Sequence, residues 1–250
     1  MKKLRRLLVM VLALPCAAHA DPFNDFKARV TSTDLKPFAL DIGGILGAAS
    51  FSDGRALGFP GFRLDVLGVV QSRPDQADAI MHDAGLKAFG VPMLEAAVGL
   101  PAKIDAVVHG LEVNHVSIVG GGLRYGIFKS GLLTKFLPNV GVGFFGDKAN
   151  HSAFKATHFG ANLSASWSLP IVTPFIGAGY DTTKVVVGDA NNPSLTAAQN
   201  AALISAHTSA SGSRFMAGVD LTPFPFARIH AAYVLLHGIS GGNFGLGLQF

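Results

Sequence analysis

The stretch GGNFGLGLQF, residues 241–250, alternates without a break. Phe244, Leu246, Leu248 and Phe250 are large and apolar. Asn243, Gly245, Gly247 and Gln249, between them, are small or polar. Successive side chains of a strand point to opposite faces. This segment is therefore a strand with one greasy face and one bare face. The greasy face has to be covered, either by protein or by lipid, and the rest of the chain decides which.

Nine further segments repeat the pattern. Phe62, Leu64, Val66 and Val70 oppose Arg63 and Asp65; Leu94, Val98 and Leu100 oppose Glu95 and Gly99. Ile104, Ala106 and Val108 oppose Asp105 and His109, and Leu123, Tyr125 and Ile127 oppose Gly122, Arg124 and Gly126. Val140, Val142 and Phe144 face away from Gly141 and Gly143. Phe159, Ala161, Leu163, Ala165 and Trp167 face away from His158, Gly160, Asn162 and two serines. Ile176, Ala178 and Tyr180 are set against Gly177, Gly179, Asp181 and Lys184. Phe215, Ala217, Val219 and Leu221 oppose Arg214, Gly218 and Asp220; Ala227, Ile229, Ala231 and Tyr233 oppose Arg228 and His230. In the middle of each segment the charges keep off the apolar parity.

A soluble barrel would show the same alternation with its faces exchanged. Three features favour lipid outside. A face collecting Asp, Arg, His and Gly makes a poor soluble core. Aromatic residues (Phe159, Trp167, Tyr180, Tyr233) fall towards segment ends, as an interfacial girdle requires. The chain also opens on an export signal: Lys2, Lys3, Arg5 and Arg6, an apolar run from Leu7 to Leu14, then Ala18-His19-Ala20. That run is too short to span a bilayer, which takes roughly 20 residues.

Removing the signal changes the charge. The chain has 20 Lys+Arg and 16 Asp+Glu, and loss of the four signal bases leaves sixteen of each sign. The basic excess is a targeting feature and gives no nucleic-acid footprint. Cys16 leaves too, so the exported chain forms no disulfide. The chain is 49% hydrophobic and 14% charged, against about 25% charged in an ordinary globular domain. Its mean hydropathy is +0.40, yet no exported segment approaches about 18 consecutive apolar residues. The membrane solution left is a closed antiparallel β-barrel.

The connections set the strand number. Those at 73–91, 185–209 and 145–152 are the longer ones; those at 100–102, 168–172 and 222–225 are tight and contain Pro. Bacterial barrels have an even number of strands, short periplasmic turns and long outer loops. Ten strands satisfy this, with two short outer connections at 112–115 and 238–242. The loop at 185–209 carries a short helix from Ser194 onward. The sequence thus divides into a signal peptide (1–20), an N-terminal apolar segment (21–50) and an outer-membrane barrel (60–250).

In the N-terminal segment Leu35, Phe38, Ile42, Ile45 and Leu46 recur at helical spacing, with Asp34 as N-cap. Counted as a strand the segment would spoil the even number, so it is read as a helix that lies beneath the barrel or plugs it. Ten glycines on the lumen parity (122, 126, 141, 143, 160, 177, 179, 218, 245, 247) give room either for that plug or for a tightly curved wall. The lumen charges are Arg63, Asp65, Glu95, Asp105, Arg124, Asp181, Lys184, Arg214, Asp220 and Arg228, five of each sign. A balanced set in a narrow barrel reads more readily as a salt-bridged interior than as a selective pore, which carries rings of one sign.

The final strand ending in Phe250 resembles the C-terminal assembly signal of bacterial outer-membrane β-barrel proteins, with Phe244, Leu246, Leu248 and Phe250 in the matching positions. The resemblance implies recognition by the barrel-assembly machinery and residence among outer-membrane lipids. An apolar segment ahead of a barrel also resembles the plugged transporters of hydrophobic compounds. The leading expectation is an outer-membrane barrel, without enzymatic activity or cofactor, that binds or passes small apolar molecules. Two alternatives stand beside it: a sealed barrel that works through its outer loops, and a lipid-modifying enzyme using His151 and Ser152. The eight exported histidines show no metal spacing. GVGFFG (141–146) has dinucleotide-fingerprint spacing, but it lies inside an alternating strand rather than before a helix.

Overall fold

The computed structural model describes residues 23, 25–50, 52–113, 115–131, 134 and 136–250. The signal segment 1–20 lies outside the described residues. Ten strands form one closed antiparallel barrel. They are β1 (Phe62–Gln71), β2 (Phe89–Leu100), β3 (Ile104–Val113), β4 (Val116–Phe128), β5 (Asn139–Asn150), β6 (Phe154–Ser166), β7 (Val172–Val187), β8 (His207–Leu221), β9 (Ala227–Leu236) and β10 (Ile239–Gln249). Each strand pairs with its sequence neighbour, and β1 closes on β10 from Arg63↔Gln249 to Gln71↔Gly241. The expected ten-stranded all-β fold is the one observed.

The register fixes the dimensions. From Val66, paired positions lead through Leu246 and Ile229 to Leu221 on β8. The other way round they pass Leu94, Gly110, Val119, Lys148, Thr157 and Lys184, and arrive at Ser209 of the same strand. One circuit thus advances 12 residues along β8. With strands about 4.8 Å apart, that stagger gives a tilt of roughly 40° and a backbone radius of roughly 10 Å.

Burial follows the alternation. On β1 Phe62, Leu64 and Val66 point out and are exposed, while Arg63, Asp65 and Leu67 are buried. The outward face is an apolar belt with aromatic edges. Phe144, Phe159, Tyr180, Phe215, Tyr233 and Phe244 mark one edge; Phe62, Tyr125 and Phe250 mark the other. Phe250 stacks on Phe226 at 4.9 Å.

Among the described residues four α-helices accompany the sheet: α1 (Phe26–Arg29), α2 (Leu35–Ala48), α3 (Ala79–Asp83) and α4 (Ala197–Leu203). The long connections 72–88, with α3, and 188–206, with α4, share one rim. The opposite rim carries the connections 101–103, 129–138, 167–171 and 222–226. The helix expected from Ser194 onward begins at Ala197. Thr196 caps it in a box with Gln199, whose backbone N donates to Thr196 Oγ1 at 3.3 Å. The expected longer connection at 145–152 shrinks to 151–153, because β5 runs on to Asn150.

The segment ahead of β1 threads the barrel. Phe23 and α1 lie at the long-loop rim, where the rings of Phe23, Phe26, Phe38 and Phe154 cluster at 4.9–6.2 Å. There Asn191 N donates to Lys27 O at 2.6 Å. α2 then descends through the lumen against β6–β9 and β1. Residues 52–61 lead on to the opposite rim, where β1 begins. Asp34 precedes α2, but its carboxylate caps nothing; it accepts instead from the Thr31 hydroxyl.

Candidate functional site: the filled lumen

A tube of this radius holds a helix, itself 5–6 Å in radius, only where both surfaces are thin. The helix supplies part of the thinness. A β-carbon at Gly43 would overlap the Thr183 hydroxyl, and one at Gly47 would overlap the Arg214 guanidinium. Leu35, Phe38, Ile42, Ile45 and Leu46 are all buried as expected, but so are Asp41, Gly43, Gly44, Gly47 and Ala48. From Asp41 onward the helix is enclosed all round, as a core helix is, while Lys36 in its first turn is exposed.

Polar contacts pin it along its length. Gln71 Nε2 donates to Asp41 Oδ1 at 2.6 Å, and Asp75 N donates to the same carboxylate at 2.9 and 3.1 Å. His237 Nδ1 meets Leu40 O at 3.0 Å, and Asn243 Nδ2 donates to Ala48 O at 2.9 Å. Below the helix Asn162 Nδ2 donates to Ser50 Oγ at 3.1 Å. Leu57 N donates to both oxygens of Asp105 at 3.0 and 3.1 Å.

The wall's own charges fill the remaining space. Six of the ten expected residues form one network. Arg63 pairs with Asp65 at 2.9 Å and with Glu95 at 2.8 Å, and Arg124 joins Glu95 at 3.1 Å. Arg228 bridges Asp65 at 3.1 Å and Asp220 at 2.9 Å. His230 Nδ1 adds a bond to Asp220 at 2.7 Å and stacks on Phe175 at 5.2 Å. Arg124 also lies over the Phe145 ring at 5.4 Å.

Asp181 and Arg214 pair with each other in a second network. Here Asp147 bridges His109 Nε2 (2.5 Å) and His158 Nδ1 (2.7 Å). His158 Nε2 reaches Asp181 at 3.5 Å, and His237 Nε2 meets it at 2.9 Å. Asp105 stands apart from both networks and grips the N-terminal segment. Lys184 is a correction. It shares the parity of Ile176, Ala178 and Tyr180, and its side chain is exposed on the outer face. Asp147, absent from the expected set, is buried because the alternation of β5 continues through Gly146, Lys148 and Asn150 on the outside.

The lumen glycines serve both purposes weighed for them. Gly141 leaves room for the Gly54 carbonyl, Gly99 for the backbone of Gly58 and Gly126 for the Ala56 β-carbon. Gly160 and Gly247 instead clear space for Arg214 and Asp65. A cleft of about 260 Å³ opens at the turn rim between Arg55, Phe59, Lys103, Phe128 and Lys129. A smaller one, about 10 Å³, lies deeper beside Asp53, Asp105 and Arg124. No group of three or more metal-ligating side chains is found among the described residues. At the long-loop rim His151 Nδ1 accepts from Ala153 N at 3.2 Å and its ring packs 5.3 Å from Phe154, while Ser152 is exposed.

These features define a closed ten-stranded β-barrel occupied by its own N-terminal helix. No family model matches the chain, and no curated relative does. Among solved structures, the translocator domain of autotransporter NalP from Neisseria meningitidis is 12% identical, with 88% of this chain and 100% of that one covered at a TM-score of 0.47. The N-terminal β-barrel domain of Pseudomonas aeruginosa OprF is 10% identical, covering 77% and 99% at 0.39. Ail, the attachment invasion locus protein of Yersinia pestis, is 15% identical, covering 77% and 100% at 0.34. Likenesses this distant add nothing to the barrel that the strand register already defines.

Proposed function

We propose that this chain is an integral barrel of the bacterial outer membrane, closed at rest by α2, with its long connections outside. The apolar belt with aromatic edges supports the membrane reading, since a charge at its middle would cost about 2–4 kcal/mol. The export signal supports the compartment, and Phe244, Leu246, Leu248 and Phe250 lie along the outer face of the closing strand for the assembly machinery to read. The observation that carries closure is the burial of α2 on every side from Asp41 to Ala48. Function then resides in the surface formed by α1, α3, α4 and their loops. The reading gives the barrel no catalytic role: the His151 ring accepts from Ala153 N and packs on Phe154.

Passage of small apolar molecules is the second reading. It is favoured by the apolar flank of α2 (Phe38, Ile42, Ile45, Leu46), which would line a path once the helix shifted. Single-channel conductance in a planar bilayer separates the two. The full chain is expected to be silent. Chains lacking 21–49, and the Gly47→Val variant that forces α2 off Arg214, are expected to conduct. Steady conductance from the unaltered chain would refute closure. Silence from both variants would show that the wall networks seal the lumen by themselves and would remove the transport reading.

A further inference from the structure

Inside the barrel nearly every charge has a partner. Outside, one group of three lysines has no carboxylate on the outward positions of its own strands. Lys148 on β5, Lys155 on β6 and Lys184 on β7 all point outward and are exposed. The register places them together. Lys148 pairs with Thr157, and Thr157 pairs with Lys184, so these two lysines stand two strands apart on one pairing line. Lys155 pairs with Asn150 and Val186, one level further out between them. The three Cα atoms thus form a triangle with sides of roughly 8–10 Å. His207, which pairs with Val186, flanks it on β8. The outward positions of β5–β8 carry no carboxylate.

The height of the triangle is set by the belt. Each lysine stands four positions beyond an outward aromatic residue of its own strand: Phe144, Phe159 and Tyr180. At the barrel's tilt, four residues rise about 10 Å. Aromatic rings at a belt edge sit at the headgroup boundary. The ammonium groups are therefore held at the level of the headgroups, with their aliphatic stems lying along the strands. At the corresponding places β8 has Ser211 beyond Phe215, and β10 has Ser240 beyond Phe244.

We infer that Lys148, Lys155 and Lys184 form a docking surface for the phosphate groups of a lipid in the outer leaflet. Three ammonium groups at this spacing converge on one phosphorylated headgroup; the nearest outward carboxylate of the wall, Glu112, lies two strands from Lys148 and three from Lys155. The inference rests on the membrane reading above.

The test uses the full chain, folded into phosphatidylcholine vesicles, and titration with a labelled bisphosphorylated lipid A. Protection of the strands from protease is checked first, so that failure to insert, which would overturn both readings, is seen separately. Lys148→Gln, Lys155→Gln and Lys184→Gln are each expected to weaken binding about fivefold, and the triple variant roughly a hundredfold. The triple Lys→Arg variant should bind as the parent does, which separates lost charge from lost folding. Dephosphorylated lipid A should not compete, and binding should weaken as salt rises. The inference is overturned if the triple Gln variant binds like the parent or if the dephosphorylated lipid competes equally. Full competition by inorganic phosphate alone would overturn the assignment to a lipid.

Discussion

Asp78 offers a sharp test of how α2 is held. It sits in the 72–88 connection, fully buried, and caps α3 by accepting from Met81 N at 3.1 Å. Its other oxygen is turned to the Asp41 carboxyl of α2. Two buried carboxyl groups in contact hold one proton between them, because both cannot ionise cheaply. Burial, and then the Asp41 contact, push Asp78 up to about 8 from 3.8; burial raises Asp41 as well. The folded state therefore binds more protons than the unfolded state between about pH 4 and pH 8. The latch is at full strength below that window, weakens as pH rises through it, and is level above. Each pH unit is worth up to about 1.4 kcal/mol, with a ceiling on the order of 5 kcal/mol for the whole window.

Asp78→Asn removes the titration, keeps the acceptor for Met81 N and offers an amide donor to Asp41. Trypsin cuts after Lys87, exposed at the end of this connection where β2 begins, and spares Arg73, which Pro74 follows. The ratio of parent to variant cleavage cancels the protease's own pH response. Cleavage of a transiently opened loop follows its open population. The ratio should rise by up to tenfold per unit between pH 6 and pH 8 and then level off. A ratio that stays flat from pH 6 to pH 9 would refute a shared proton at this joint.

Two further outcomes follow from the wall. Asp181→Ala takes from buried Arg214 and from His237 the carboxylate they face, leaves His158 with Asp147 alone, and should cost about 3–5 kcal/mol in urea unfolding from vesicles. Leu163→Arg, at the middle of the outward face of β6, should cost about 2–4 kcal/mol in the same assay. Thr182→Arg, beyond the aromatic edge beside Lys184, should be nearly neutral.

The barrel was legible because a period of two leaves a mark at every residue. Ten alternating segments and an even strand count needed no tertiary information, and six of the lumen charges fall into one network as their parity requires. What parity could not show is where a strand leaves the membrane. Beyond Phe144 outward positions turn polar, so Lys148 looks like loop although it continues its strand; Lys184 keeps the parity of Tyr180, and only its charge suggests the lumen. Asp147 was lost for the same reason. Asp41 left no mark at all, since one acid in an apolar helix looks like a solvated position until the Asp75 amide and Gln71 are brought to it. The segment's helicity was readable from its spacing, but its enclosure on all sides was not. The glycines that weaken the helix are the places where the wall presses against it.

The path of the chain has a consequence for the order of assembly. Phe23–Val30 lies beyond one rim, and β1 starts at the other, so the polypeptide is laced through a ring made from its own later residues. The nine paired positions between β1 and β10 form the one seam through which the lace can enter sideways. While the seam is open, α2 can be laid against β6–β9 as an ordinary packing partner. Once it is shut, the aromatic knot at the long-loop rim would have to be drawn end-on through a bore of roughly 10 Å radius already crowded with ion pairs. The seam is thus expected to zip last, around an occupant that arrives already tethered by residues 50–61. Whatever later shifts α2 works against that short tether.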